Sequence, residues 1–103
     1  MAASYKVQSI AQLTKHIRRV SKETAKVFLS EHARKRMRQR NVLDAEVFHC
    51  LRSGKINMQP EEDLKTGNLV CRMEGYGASK NLAVCAALDD ADPNIIVVTV
   101  IVV

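Results

Sequence analysis

The sequence predicts an α+β fold in which N-terminal helices pack on one face of a mainly antiparallel sheet. Apolar residues in the first half of the chain recur at steps of three and four, which is typical of helices. In the second half they alternate at steps of two, which is typical of strands. Helices therefore precede a meander of strands, an order that favours an α+β domain. The 103 residues suffice for one core, so we expect residues 1–103 to form a single domain.

Three helices are predicted in the first half. A basic amphipathic helix spans residues 8–20, and its apolar face consists of Ile10, Leu13, Ile17 and Val20. The second helix runs from about 31 to 40 after Ser30, which is a favourable N-cap residue. The third begins at Asp44 as its N-cap and continues to about residue 52. Gly54 is expected to end it, because glycine commonly follows the last helical turn.

Short strands are predicted before the second helix and throughout the second half. They comprise residues 26–29, 55–58, 69–74, 81–88 and 95–103. A polar loop with proline and glycine separates the second strand from the third. The last strand is almost wholly apolar and β-branched, which predicts a central strand covered on both faces.

Charge divides the chain into a basic and an acidic part. Residues 1–40 hold eleven Lys/Arg and two acidic residues, a balance of +9, whereas residues 41–103 have a balance of −4. This asymmetry favours an anionic partner that meets one side of the fold. Nucleic acid is the first candidate and an acidic protein the second. A solvated basic surface without a ligand is the simpler alternative.

The cysteine and histidine patterns indicate neither a disulfide framework nor a metal site. The three cysteines, Cys50, Cys71 and Cys85, form no C-x-x-C motif and lie in apolar stretches, as buried thiols in a reducing compartment do. The three histidines share no short spacing, so we expect no metal and no cofactor. The N-terminus has no apolar signal segment, and residues 95–103 are too few to span a membrane, so we expect a cytoplasmic protein.

The densest polar chemistry lies in residues 30–40. On a helix, Ala33 and Met37 form the inward stripe, while His32 and Arg36 lie one turn apart along its border. The other cations of this helix, which are candidate phosphate-binding groups, are Arg34, Lys35, Arg38 and Arg40.

The pair of His32 and Arg36 suits RNA cleavage without a metal. Histidine titrates near neutrality and can give or take the proton that moves in the reaction. Arginine binds phosphate in a bidentate manner and can stabilise the charge that develops on it. Two structural alternatives stay open. His32 could bind a backbone carbonyl, and Arg36 could pair with an acidic residue on a neighbouring strand.

A motif in this region resembles a known family. Residues 30–42 follow the pattern S-x-H-A-x-x-R-M-x-x-R-x-V, with x for any residue. A helix with Val47 and Leu51, a Ser53-Gly54 pair and the closing strand 96–100 follow it. The whole stretch, from about residue 27 to 100, is similar to the family named domain of unknown function 4258.

The resemblance implies a fold and an activity. That family is grouped with the RelE-like toxins and with the barnase, EndoU and colicin nucleases. The resemblance therefore implies a toxin-type, metal-independent RNA endonuclease (an mRNA interferase and so a hydrolase) that acts on RNA, including ribosome-associated RNA, beside an acidic antitoxin. It assigns His32, Arg36 and Thr99 to catalysis, with Arg40 as a phosphate clamp and Thr99 as a positioning hydroxyl. A local hydrogen bond within the strand is the alternative role for Thr99.

Other functions fit parts of the same pattern. A non-catalytic module, such as a phage or mobile-element inhibitor or adaptor, could bind an acidic protein through the same basic face. A homodimer through an edge strand is a further expectation. DNA reading by a helix-turn-helix is weakly indicated, because the third helix offers only Glu46, His49 and Arg52 to base edges.

Overall fold

Three helices and six strands make up the described part of the chain. The computed structural model describes residues 4–76 and 80–103. The helices are α1 (Ile10–Val20), α2 (Glu31–Gln39) and α3 (Asp44–Ser53). The strands are β1 (Val27–Leu29), β2 (Lys55–Ile56), β3 (Glu61–Glu62), β4 (Leu69–Tyr76), β5 (Asn81–Asp89) and β6 (Asp92–Val102). Short 3-10 turns precede α1 and β1.

The strands form one mainly antiparallel sheet. Its order is β1-β6-β5-β4-β2, and β3 pairs with β4 off this path. The β1–β6 pair is parallel and all other pairs are antiparallel. The predicted fold class is therefore confirmed. Strand β3 lies where the sequence indicated a polar loop, and its two residues are too few to show a period.

All three helices pack on the same face of this sheet. Leu13 and Ile17 of α1, Met37 of α2 and Leu51 of α3 belong to one buried cluster with alternate residues of the long strands. The strand members of the cluster include Cys71, Met73, Leu82, Val84, Ile95, Val97 and Val100. The intervening strand residues point away from the helices, to a surface that we call the helix-free face.

Strand β6 contains a β-bulge at Val98. Cys85 pairs with Thr99, and the next residue of β5, Ala86, pairs with Val97. Between these two pairs β6 therefore contains one residue, Val98, that has no partner on β5. The bulge interrupts the alternation of β6. As a result Val97 and Val100, which are three residues apart, are both fully buried. Thr99 shares the side of its partner Cys85 and therefore lies on the helix-free face.

The last strand lies inside the sheet between β1 and β5, but the prediction that it is covered on both faces is wrong. Only one strand, the three-residue β1, lies outside β6 in the described sheet. The helix-free side chains of Ile96 and Ile101 are partly exposed. Phe28 of β1, which pairs with Ile96, is 54% exposed. Apolar composition cannot separate burial under a second layer from an apolar row on an open face.

Several element boundaries differ from the sequence prediction. Ser9 is the N-cap of α1, so the helix begins two residues later than expected. Asp44 is the first residue of α3, and the N-cap is Leu43, whose N–H donates to the Glu46 carboxylate at 3.1 Å. Strand β2 is shorter than predicted, while β4, β5 and β6 extend further into their turns.

Gly54 ends α3, as predicted, and its lack of a side chain lets the helix end meet β4. The Gly54 N–H donates to the carbonyl of Cys50 at 2.8 Å. A Cβ at this position would lie 2.5 Å from the Cys50 oxygen and 2.6 Å from the Glu74 oxygen. Both neighbours are backbone atoms, so they cannot rotate away.

The C-terminal ends of α1 and α3 are bound by each other's arginines. Arg18 of α1 donates to the Gly54 carbonyl from Nε at 2.9 Å and from Nη2 at 2.7 Å. Arg52 of α3 donates from Nε to the Ser21 carbonyl at 2.8 Å. Each cation meets carbonyl groups that have no partner within their own helix, and the helix dipole favours it there.

The segment before α1 is held against the β5–β6 turn and against His16. The Ser4 hydroxyl and the Tyr5 N–H donate to the Asp90 carboxylate at 2.6 and 2.9 Å. The Tyr5 ring lies 4.9 Å from the His16 ring, whose Nε2 is buried without a hydrogen bond. Burial, with Arg19 as a second cause, lowers the pKa of His16 below its usual 6.5.

We predict that Gly54→Ala lowers the free energy of unfolding by about 1–3 kcal/mol, because the added methyl must displace backbone at the α3–β4 contact. Urea denaturation followed by circular dichroism measures this. Lys55→Ala at the next, exposed position is the control and should change stability by less than about 0.5 kcal/mol. Equal stability of the two variants would contradict the close contact.

We predict that stability falls as the pH drops below 6.5, because His16 binds a proton more readily in the unfolded chain than in the fold. The contribution of neutral His16 to the free energy of unfolding is fully present above pH 6.5. It declines as the pH falls from 6.5 toward the lower pKa that His16 has in the folded state. Thermal unfolding between about pH 5 and 7 measures it. His16→Phe should flatten the profile in this window, and an unchanged slope would disprove the assignment.

Candidate functional site

The start of α2 is fixed to the bulge of β6. The Ser30 hydroxyl caps the helix, accepting from the Ala33 N–H at 3.1 Å, as predicted for an N-cap. The Ser30 N–H donates to the Val97 carbonyl at 3.0 Å, and its hydroxyl lies 3.4 Å from the Val98 carbonyl. The helix therefore leaves the sheet at the point where β6 gains its extra residue.

The end of α2 is fixed to the same strand. Asn41 adopts a φ of 53°, and the N–H of Val42 donates to the Met37 carbonyl at 2.9 Å, which is a Schellman arrangement. Asparagine tolerates this left-handed conformation better than most residues. The Arg40 guanidinium donates from Nη1 to the Val100 carbonyl at 2.9 Å. Both ends of α2 are thus bound to the β6 backbone.

The outer surface of α2 carries positive charge that few acidic residues balance. Between residues 31 and 40 there are five Lys/Arg and one acidic residue. Arg34 lies 4.0 Å from the Asp44 carboxylate, which is a weak exposed pair. Among the described residues, the side chains of His32, Lys35 and Arg38 form no hydrogen bond or ion pair, and all three are exposed. This helix is therefore suited to meet a polyanion.

The structure places His32 and Arg36 together, one turn apart on the exposed side of α2. Arg36 is half-buried and donates from Nη1 to the Gln39 amide oxygen at 3.1 Å. The ring of His32 is not oriented by any hydrogen bond within the described residues. The pair is accessible to a ligand, and its catalytic role stays a prediction. Arg40 has a structural contact that the sequence did not reveal, while its phosphate-binding role is a prediction as well.

Thr99 lies apart from this pair. Its side chain is on the helix-free face, and no hydrogen bond or ion pair within the described residues joins it to His32 or Arg36. The bulge at Val98 is the reason, because uninterrupted alternation from Val97 would turn Thr99 toward the helices. A substrate that contacts His32, Arg36 and Thr99 together must therefore extend around β6, from α2 to the helix-free face.

The neighbours of Thr99 form a polar row across three strands. Thr99, Cys85 and Arg72 are directly paired in register, and adjacent strands lie about 4.8 Å apart. Arg72 Nε lies 3.6 Å from the Glu74 carboxylate and is buried without a hydrogen bond. The sequence did not predict this row as a group. Alternation in β4 gives the outward direction of Arg72, but the cross-strand register is not encoded locally.

All three cysteines are weak nucleophiles. Burial raises the pKa of Cys85, and the nearby Arg72 lowers it by less. Burial raises the pKa of Cys50 and Cys71 to about 11. At neutral pH all three remain protonated thiols, which react poorly. Cys50 and Cys71 are buried as the sequence predicted, whereas Cys85 is partly exposed.

Two further observations concern metals and membranes. Within the described ranges, no cluster of three or more His, Cys, Asp or Glu side chains is arranged to hold a metal ion. No helix among residues 4–76 and 80–103 has the length and apolar character needed to cross a membrane.

These features define a two-layer α+β domain with one strongly basic helix fastened to the edge region of its sheet. A family model matches residues 29–102, and its description is "Domain of unknown function (DUF4258)". The chain belongs to this family. The match begins in β1 and ends in β6, so it includes α2, the bulge and Thr99. No curated protein and no solved structure matched the chain.

We predict that Arg40→Met lowers the free energy of unfolding by about 0.5–1.5 kcal/mol, since it leaves the Val100 carbonyl without its donor. Arg38→Met is the control, because it removes an exposed cation that binds no described residue. Urea denaturation of both variants measures the difference. If Arg40→Met proves as stable as Arg38→Met, Arg40 does not fasten α2.

Proposed function

We propose that this protein is a toxin-type, metal-independent RNA endonuclease of RelE-like kind that presents α2 to its substrate. The observation that supports the proposal is the exposed and largely unpaired positive charge of α2 between residues 31 and 40. Phosphate groups along RNA match such a surface, and cations on one helix face dominate the affinity of many nucleic-acid-binding proteins. Membership of the DUF4258 family agrees with the motif that suggested this function.

His32 and Arg36 have distinct roles in the proposed reaction. The ribose 2′-oxygen attacks the adjacent phosphorus, the bond to the 5′-oxygen breaks, and a 2′,3′-cyclic phosphate remains. His32 either accepts the 2′-hydroxyl proton or donates one to the departing 5′-oxygen, and water exchanges the other proton. Arg36, one turn away, stabilises the extra negative charge on the phosphorus oxygens.

The remaining cations of α2 bind the RNA backbone in this proposal. Arg34, Lys35 and Arg38 are exposed and can each neutralise a phosphate outside the reacting bond. Arg40 adds a fixed positive charge near the β6 edge, where its guanidinium already meets the Val100 carbonyl. Thr99 positions substrate only if the RNA crosses from α2 onto the helix-free face. The substrate is RNA in the cytoplasm, free or ribosome-associated, and an acidic antitoxin is the proposed inhibitor.

A second candidate is a non-catalytic module that binds an acidic protein through α2. One observation favours it: His32 has no described hydrogen-bond partner to fix its ring. Catalytic histidines are commonly held in one orientation by a second group, whereas a binding surface has no such requirement. The same cations serve either function, so variants of His32 separate the two.

We predict that expression of the protein arrests bacterial growth and that His32→Ala with Arg36→Ala relieves the arrest. Cleavage of purified RNA should fall by about 10²- to 10⁴-fold in His32→Ala, as expected for loss of a general acid or base. His49→Ala is the matched control, because the His49 side chain is exposed on α3 and forms no hydrogen bond or ion pair within the described residues. Growth rate and the rate of RNA cleavage are the measurements.

Two results would contradict the nuclease. One is the absence of both arrest and cleavage in the unmodified protein. The other is a His32→Ala variant that keeps full function while charge reversal at Arg34 and Arg38 abolishes it, which would favour the protein-binding module.

RNA affinity should also fall as the salt concentration rises. The logarithm of the association constant, plotted against the logarithm of the salt concentration, should have a slope of about −0.7 for each phosphate contact on a single strand.

A further inference from the structure

A basic groove runs between α1 and the free edge of β2, away from α2. Its volume is about 740 Å³. The floor is apolar and consists of Ile10, Ala11 and Ile56. Five cations line the remainder, namely Lys15, Arg18, Arg19, Lys22 and Lys55. We call this surface the α1 groove.

The α1 groove has excess positive charge that the described part of the chain does not neutralise. No carboxylate lines it, and none of its cations forms an ion pair with a described residue. Arg18 binds backbone carbonyls, and Arg19 lies 3.1 Å from the His16 ring nitrogen. The three lysines have no such contact. An occupant of this groove must therefore be acidic and must also carry an apolar side chain for the floor.

The same chain displays a segment of that composition. Residues 61–64, which comprise the short strand β3 and the first two residues of the turn after it and which we call the acidic loop, read Glu-Glu-Asp-Leu. Leu64 is 99% exposed, the most exposed of the large apolar side chains in the described residues. Glu61 is exposed and forms no ion pair with a described residue. A fully exposed leucine beside three carboxylates leaves apolar surface in water that an interface would bury.

We propose that two copies of this chain associate by placing the acidic loop of each in the α1 groove of the other. Both surfaces flank the start of α1. The Lys6 ammonium binds Glu62 at 2.8 Å just before the helix, and Ile10, its first residue, lines the groove. A two-fold axis near Ile10 then forms both loop–groove contacts at once, as the symmetry of a closed dimer requires. Leu64 meets the apolar floor, and Glu61 meets Lys15.

The lining of the groove favours this occupant over RNA. RNA offers phosphates and bases but no aliphatic side chain that could fill the apolar floor of the α1 groove. An apolar floor instead suits an aliphatic side chain such as Leu64. The surface also lies outside the residues assigned to RNA, so dimerisation and cleavage can be tested separately.

Charge exchange between two variants tests the dimer. Sedimentation equilibrium of the unmodified protein should show a concentration-dependent dimer. Lys15→Glu and Glu61→Lys should each raise the dissociation constant by about tenfold or more, because every dimer exchanges two attractive pairs for two repulsive ones. Mixing the two variants should restore association, since one contact is then native and the other has both charges exchanged.

Further variants separate the dimer from other occupants. Leu64→Ser should weaken association while leaving the fold unchanged, because this side chain touches almost nothing within its own chain. Arg38→Glu is the control of equal charge change and should still dimerise. A monomer at all concentrations would overturn the proposal, and so would a failure of the mixed variants to associate. Loss of RNA binding in Lys15→Glu, with a monomeric unmodified protein, would assign the groove to nucleic acid.

Discussion

The extra residue in β6 determines how the basic helix meets the sheet. Strand β1 ends at Leu29, the partner of Val97, and no other strand of the described sheet continues the pairing along β6, which presents the carbonyls of Val98 and Val100 beyond that point. Backbone acceptors at a sheet edge need donors, and Ser30 and Arg40 supply them from the two ends of α2. The two ends of α2 thus bind this stretch of β6, while the helix itself packs on the face of the sheet. Its cations are displayed on a support that is fixed at both ends.

The same bulge gives the sheet two different surfaces. On the helix side it returns Val100 to the core, so packing under α2 continues without a gap. On the other side it aligns Thr99 with Cys85 and Arg72. A one-residue change in register moves a side chain to the opposite face, and β6 undergoes that change halfway along its length. The polar row and the basic helix consequently occupy different sides of one strand.

The features that the sequence predicts correctly are those with local determinants. The Ser30 cap, the end of α2 near residue 40 and the glycine after α3 each depend on a few neighbouring residues, and the structure has all three. The exposure of His32, Lys35 and Arg38 follows from helical period alone. The bulge, the polar row and the carbonyl that binds Arg40 depend on pairing between distant strands, which a period cannot give. The unusual apolar content of β6 also suggested a second covering layer that the helix-free face does not have.

The mutual arginine contacts of α1 and α3 bear on where this domain begins as a physical unit. The family match starts at residue 29, nineteen residues after the first residue of α1. Yet α1 contributes Leu13 and Ile17 to the common core, and its Arg18 satisfies the Gly54 carbonyl at the end of α3. A polypeptide limited to the matched segment would lose this helix, most of β1 and the acceptor for Arg52. The unit that folds cooperatively is therefore larger than the unit that similarity detects, and relatives without an equivalent of α1 require another element to cover the same apolar surface.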